Sequence, residues 1–317
     1  MNRPGVNPIK PRRLHPGDTI GIVTPASPMI PERLANGIAY LRARGYNVVE
    51  GEHVYAQRGY LAGTDAERAA DLNRMFADPD IKAVICSRGG YGVSRLLDQV
   101  DYEALRQHPK IFVGYSDLTA LQLAIWQRIG LVTFSGPMVA VEMGKGIHPF
   151  TEGHFWRMLT SDNLSGPLPH PEGKALQCLR PGKARGRLLG GCLSLIAPLM
   201  GTPFMPALDG AILVLEDIDE EVYRIDRYFA QFRSAGILDK IAGLVFGTFI
   251  NWEPSEPDKP YLTLEQVIDD YVSDLPIPVA TGLAYGHGEA KITLPIGLEA
   301  ELDADAGTLT ILEPAVV

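Results

Sequence analysis

Short apolar runs that halt at a polar or glycine-rich turn and give way to a helical pattern recur through the first half of this chain, and few features restrict a fold more. Residues 18–23 form one such run; it ends at Thr24-Pro25-Ala26-Ser27-Pro28, and helix formers then occupy 31–44 until Gly45 supplies a C′ glycine. A second run at 46–49 precedes Thr64-Asp65-Ala66-Glu67, a capping box that opens a helix through about Phe76. The third run, 81–86, leads into Ser87-Arg88-Gly89-Gly90-Tyr91-Gly92; a fourth spans 111–114 and a fifth 131–134. Strands alternating with helices at this spacing predict βαβ units and a parallel sheet, whose ligands sit beyond the carboxyl ends of the strands.

Two turns lie at that edge. One is the Arg88–Gly92 loop. The other follows Ile111-Phe112-Val113-Gly114, where Tyr115-Ser116-Asp117 interrupts the strand before Leu118, Leu121 and Ile125 mark a helical face. A serine there projects from the sheet edge beside the unpaired N–H groups of a helix start, which suit a developing oxyanion. The geometry expected is a nucleophile elbow, although Gly-Tyr-Ser-Asp lacks the second glycine of the usual motif. Local pattern alone favours the plainer reading, in which Ser116 or Asp117 caps the helix.

Residues 161–182 are rich in proline, glycine and polar side chains and read as a linker, dividing the chain into 1–160 and 183–317. Beyond it, Gly190-Gly191-Cys192-Leu193-Ser194 precedes an apolar helix. Residues 211–215 form a buried strand that ends at Glu216-Asp217-Ile218-Asp219-Glu220-Glu221, and a helix follows at 223–233. Another strand at 241–247, a helix at 262–272 and a short run at 278–281 lead to Tyr285-Gly286-His287-Gly288-Glu289. The tail predicts short antiparallel strands.

Composition narrows the partners. The formal net charge is −9 and no basic run interleaved with aromatics occurs, so nucleic acid is not an expected partner. Cys86, Cys178 and Cys192 share no metal-like spacing, and an odd number without close pairing fits a reducing compartment. With no apolar core of a secretory signal and no run of membrane-spanning length, a cytoplasmic protein without membrane contact is expected. His287-Gly288-Glu289 lacks the cysteine pair of a zinc deaminase, the acidic loop lacks EF-hand spacing, and the phosphate-loop and dinucleotide fingerprints are absent. No metal or organic cofactor is expected.

Most of the seven histidines sit beside proline or in polar loops, but His287 lies between two glycines, which allow close approach of another segment or a substrate. On that pattern a structural role is as good a reading as a functional one. Glu216 ends an apolar strand, so its carboxylate is expected to be partly buried and to need a partner. A histidine Nδ1–H would serve, and would leave Nε2 to exchange a proton with a serine.

Taken together and in order, Arg88-Gly89-Gly90-Tyr91-Gly92, Gly114-Tyr115-Ser116-Asp117, Leu215-Glu216-Asp217 with Tyr223-Arg224-Ile225-Asp226-Arg227, and Gly286-His287-Gly288 with Leu294-Pro295-Ile296-Gly297 resemble the LD-carboxypeptidases. This is the serine peptidase family that includes muramoyltetrapeptide carboxypeptidase and the microcin C self-immunity protein. The resemblance implies Ser116 as nucleophile, His287 as general base and acid, and Glu216 rather than Asp217 as the residue orienting the histidine. It implies an oxyanion hole from the backbone N–H groups of Gly90 and Asp117. It also implies an α/β fold: a flavodoxin- or Rossmann-like N-terminal domain carrying the serine, a C-terminal α/β domain with short antiparallel strands carrying the acid and histidine, and a site in the cleft between them. A homodimer is implied as well. The expected activity is removal of the terminal D-alanine from a muropeptide-derived tetrapeptide in cell-wall recycling, with Arg88 or Arg224 as the cation for the substrate carboxylate. The nearest alternative is a self-immunity hydrolase of a peptidyl-nucleotide antibiotic; the alternative from another class is a non-catalytic two-domain binding protein. One departure is visible: the family usually shows Gly-Gly-Asn-Leu where this chain has Gly190-Gly191-Cys192-Leu193.

Overall fold

Helix and strand alternate through the first half of the chain as β1 (Thr19–Val23), α1 (Pro31–Ala43), β2 (Asn47–Glu50), α2 (Asp65–Ala77), β3 (Ile81–Cys86), α3 (Tyr102–Gln107), β4 (Ile111–Gly114), α4 (Thr119–Ile129), β5 (Thr133–Ser135) and α5 (Pro149–Thr160). The structure is a computed structural model and describes residues 8–256 and 258–317. β1 to β5 pair in parallel, and β4 is buried along its whole length, as a central strand covered on both faces must be. The capping box is complete: Thr64 Oγ1 accepts the Glu67 N–H at 3.2 Å and Glu67 Oε2 accepts the Thr64 N–H at 2.7 Å. α4 stops at Gly130, which takes the left-handed conformation (φ 70°) that ends helices.

α1 lies against a π-helical turn at Val139–Met143. The approach is so close that a Cβ on Gly37 would collide with the Val139 carbonyl oxygen. Gly37→Ala is therefore expected to destabilise the fold by about 1–3 kcal/mol, despite alanine's better helix propensity. An unchanged thermal midpoint would mean that the two segments do not pack as described.

The second half is β6 (Gly166–Pro167), β7 (Gln177–Arg180), β8 (Lys183–Cys192), α6 (Leu193–Ile196), β9 (Ile212–Ile218), α7 (Val222–Ser234), β10 (Gly243–Ile250), α8 (Leu264–Val272) and β11 (Val279–Thr281), followed by β12 (Leu294–Ile296), β13 (Glu299–Asp303) and β14 (Thr308–Ile311). The first sheet has the order β12-β5-β4-β3-β1-β2 and the second β6-β14-β13-β8-β9-β10-β11-β7. In the second sheet β8 to β11 run parallel, and antiparallel strands extend it on both sides.

Two compact units result. One takes the chain up to Leu164 with Thr293–Gly297 and Pro314–Val317; the other takes Ser165–Ile292 and Leu298–Glu313. This corrects the division expected from composition. Residues 161–182 are not a plain linker, because they contribute β6 and β7, the two edge strands of the second sheet. Edge strands tolerate the proline and exposed polar residues that made this segment read as loop. Nor does 183–317 stay in one unit. β12 pairs antiparallel with β5, and the Val317 N–H donates to the Pro11 carbonyl at 3.0 Å.

Candidate active site

At the carboxyl end of β4 the backbone reverses into a 3₁₀ turn, Ser116–Leu118, that feeds α4. Ser116 is partly exposed and has φ 64°, a left-handed conformation that costs a non-glycine residue about 1–3 kcal/mol. A strained turn between a strand and a helix is the geometry that a nucleophile elbow takes. The plainer reading fails here, since neither the turn nor α4 has a side-chain cap. The glycine loop after β3 runs directly beside the serine: a Cβ on Gly89 would lie 2.9 Å from Ser116 Cβ. Among the described residues, the N–H groups of Gly90 and Asp117 have no hydrogen-bond acceptor.

In the other unit β9 carries Glu216, which is 1% exposed. Its Oε2 is 2.7 Å from His287 Nδ1. A carboxylate only accepts, so Nδ1 carries the hydrogen of this bond. Gly286 makes this approach possible: it has φ 107°, and a Cβ there would run into Glu216 Oε2. The glycine before His287 thus has a steric reason, whereas Gly288 has only ordinary neighbours.

Asp217, the next residue on the strand, serves a different set of partners. It accepts the Ser194 N–H at 2.7 Å, the Ser194 hydroxyl at 3.1 Å, the Cys192 thiol at 3.1 Å and the Ile218 N–H at 2.9 Å. Burial pushes its carboxyl up to about 6 and pushes the Cys192 thiol up as well, so Cys192 is a poor nucleophile. Where the family's usual asparagine would stand, the cysteine still donates one weak hydrogen bond to this carboxylate.

The two candidate cations differ in surroundings. Arg88 donates from Nε to the Gly89 carbonyl and from Nη1 to the Pro28 carbonyl, both at 3.1 Å. Arg224 is exposed; its Nε donates to the Tyr223 hydroxyl at 3.1 Å, and its Nη1 lies 3.7 Å from Glu220 Oε2. A second carboxylate–histidine pair, Asp71 Oδ1 to His53 Nδ1 at 3.2 Å, belongs to a loop anchor, because Asp71 also accepts the N–H groups of Glu52 and His53. Among the described residues no group of three or more His, Cys, Asp or Glu side chains is placed to hold a metal, and no helix is long and apolar enough to cross a membrane.

The residues that hold the glycine loop escaped the sequence reading. Arg68 is one, 2% exposed on α2. The signal was available: Arg68, Leu72 and Met75 stand at i, i+4 and i+7, which places a charged side chain on the apolar face.

Comparison with known proteins places the chain among the serine peptidases. It belongs to the LD-carboxypeptidase family, matching the LD-carboxypeptidase N-terminal domain over residues 20–136 and the LD-carboxypeptidase C-terminal domain over 185–302. It is 41% identical over 303 residues to the probable murein peptide carboxypeptidase of Bacillus subtilis (strain 168), covering 95% of this chain and 94% of that one. It is 30% identical over 338 residues to the microcin C7 self-immunity protein MccF of Escherichia coli, covering 97% and 96%. The crystal structure of muramoyltetrapeptide carboxypeptidase from Oxalobacter formigenes matches with a TM-score of 0.80 at 35% identity, over 92% of this chain and 97% of that chain.

Proposed function

We propose that this protein releases the terminal D-alanine from muropeptide-derived tetrapeptides, cutting between an L-configured centre and D-alanine, as a step in cell-wall recycling. The observation that carries the reading is the bond from His287 Nδ1 to the buried Glu216 carboxylate, which prepares one ring nitrogen for proton transfer. One unit supplies Ser116 and the other supplies Glu216 and His287. Ser116 Oγ attacks the scissile carbonyl as His287 Nε2 takes its proton, and the Gly90 and Asp117 amides receive the oxyanion. His287 then protonates the leaving amine, and water resolves the acyl-enzyme by the same route in reverse. Arg88 or Arg224 meets the substrate's free carboxylate. The setting proposed is cytoplasmic, and the working form a homodimer, which sedimentation would test.

Mass spectrometry of a muropeptide digest incubated with the protein tests the activity. Tetrapeptides should shorten by one alanine while other components persist; intact tetrapeptides after prolonged incubation would remove the proposal. Similarity to the microcin C7 self-immunity protein favours a second reading, hydrolysis of a peptidyl nucleotide. Parallel incubation with such a conjugate separates the two.

A further inference from the structure

A loop that offers an oxyanion donor must not drift, yet a glycine-rich loop has no side-chain bulk with which to fix itself. Here Arg88 ties the start of the loop to the Pro28 carbonyl, and the stretch after Gly90 is fixed from outside, by three neighbouring segments. From the nucleophile's side, Asp117 turns its carboxylate inward, and Oδ2 accepts the Val93 N–H at 2.9 Å. From α2, Arg68 Nη1 donates to the Pro25 carbonyl and, at 3.0 Å, to the Gly92 carbonyl, while Nη2 is held by Asp65 Oδ1. From the turn after β1, Ser27 Oγ accepts the Tyr91 N–H at 3.1 Å. These bonds fall on the residues that immediately follow Gly90.

Asp117 is 1% exposed and Arg68 2%. Removing two charged groups from water is costly, and apolar side chains of similar volume would pack as well or better. Apolar side chains could not fix one loop's N–H and C=O in set directions. Resting on the reading of Ser116 as nucleophile and Gly90 as oxyanion donor, we propose that the side chains of Asp117 and Arg68 are positioning residues: Asp117 binds the glycine loop to the nucleophile turn and Arg68 binds it to the turn after β1, so that the Gly90 amide keeps its aim. Asp117 then has two separable parts, a backbone N–H that touches the oxyanion and a carboxylate that acts through Val93.

The test compares ligands that do and do not fill the oxyanion site. The tripeptide aldehyde corresponding to the proposed product adds to Ser116 and places an oxygen there; the decarboxylated tripeptide, with hydrogen in place of that terminal carboxyl group, places none. Asp117→Ala is expected to lower kcat by about 10²- to 10³-fold, as loss of one oxyanion donor does, with KM changed only a few-fold. Aldehyde affinity should fall in step while affinity for the decarboxylated tripeptide holds. Asp117→Asn, which retains a carbonyl for the Val93 N–H, should lose only about tenfold in kcat and aldehyde affinity. Arg68→Lys, which retains a charge but not the guanidinium fork, should show the same selective loss of aldehyde binding. If Asp117→Ala does not fold, the Asn and Lys variants decide by the same ratio. Affinities for the aldehyde and the decarboxylated tripeptide that fall together, or neither falling, would overturn the proposal. Ser116→Ala run alongside separates the two failures: if it stays active the functional reading is wrong, and if it is inactive while the Asp117 and Arg68 variants bind aldehyde normally, only the positioning role is wrong.

Discussion

Ser116→Ala should lower kcat on an L,D-tetrapeptide by roughly 10⁴-fold or more while leaving the fold unchanged. Both halves follow from the turn. The hydroxyl is partly exposed at the carboxyl end of β4, and among the described residues Ser116 Oγ makes no hydrogen bond that folding would lose. Alanine inherits the same left-handed φ of 64°, so the strain of the elbow is common to both proteins. The thermal midpoint should therefore match the parent, and covalent labelling by a serine-reactive fluorophosphonate should disappear. Retention of even a tenth of parental turnover would remove Ser116 as nucleophile and leave its strained backbone without a catalytic explanation.

What the sequence disclosed follows from how local each signal is. The βαβ alternation was legible because each strand, turn and helix is written in consecutive residues, and Thr64 with Glu67 announced a helix start from three positions apart. Glu216 could be singled out because an acidic residue at the end of an apolar strand must find a partner. Pairings between distant segments were another matter. Pro167 and Cys178 lie in stretches that look like loop, and only their hydrogen bonds to β14 and β11 make them strand. β12 joins β5 across more than half the chain, a pairing that no window of neighbouring residues encodes. The arginine on the buried face of α2 was visible as an anomaly, but its purpose was not, because its partners Pro25 and Gly92 belong to other loops.

The sharpest choice the sequence left open was between two adjacent carboxylates, and it leads to a second large effect. Glu216→Gln is expected to lower kcat by about 10³- to 10⁴-fold. Glutamine keeps the shape, but its amide can donate to Nδ1, which allows the tautomer with hydrogen on Nε2, and it removes the charge that stabilises the imidazolium. Asp217→Asn should leave kcat within about tenfold and instead cost about 1–3 kcal/mol of stability, because its oxygens serve Ser194, Cys192 and the Ile218 N–H. The pH dependence gives an independent signature. Burial raises the Asp217 carboxyl to about 6, so the folded protein holds that proton more tightly than the unfolded chain does. The resulting stabilisation is fully present below the unfolded pKa, ordinarily near 4, and is lost as pH rises through about 6. The stability deficit of Asp217→Asn should therefore be larger at about pH 4.5 than at about pH 7.5. Chemical denaturation at the two pH values measures it, and steady-state kinetics on the tetrapeptide compares the two variants. Should Asp217→Asn prove the more damaging to kcat, the histidine would be oriented by the second carboxylate, and the Glu216–His287 bond would not be the one that works in catalysis.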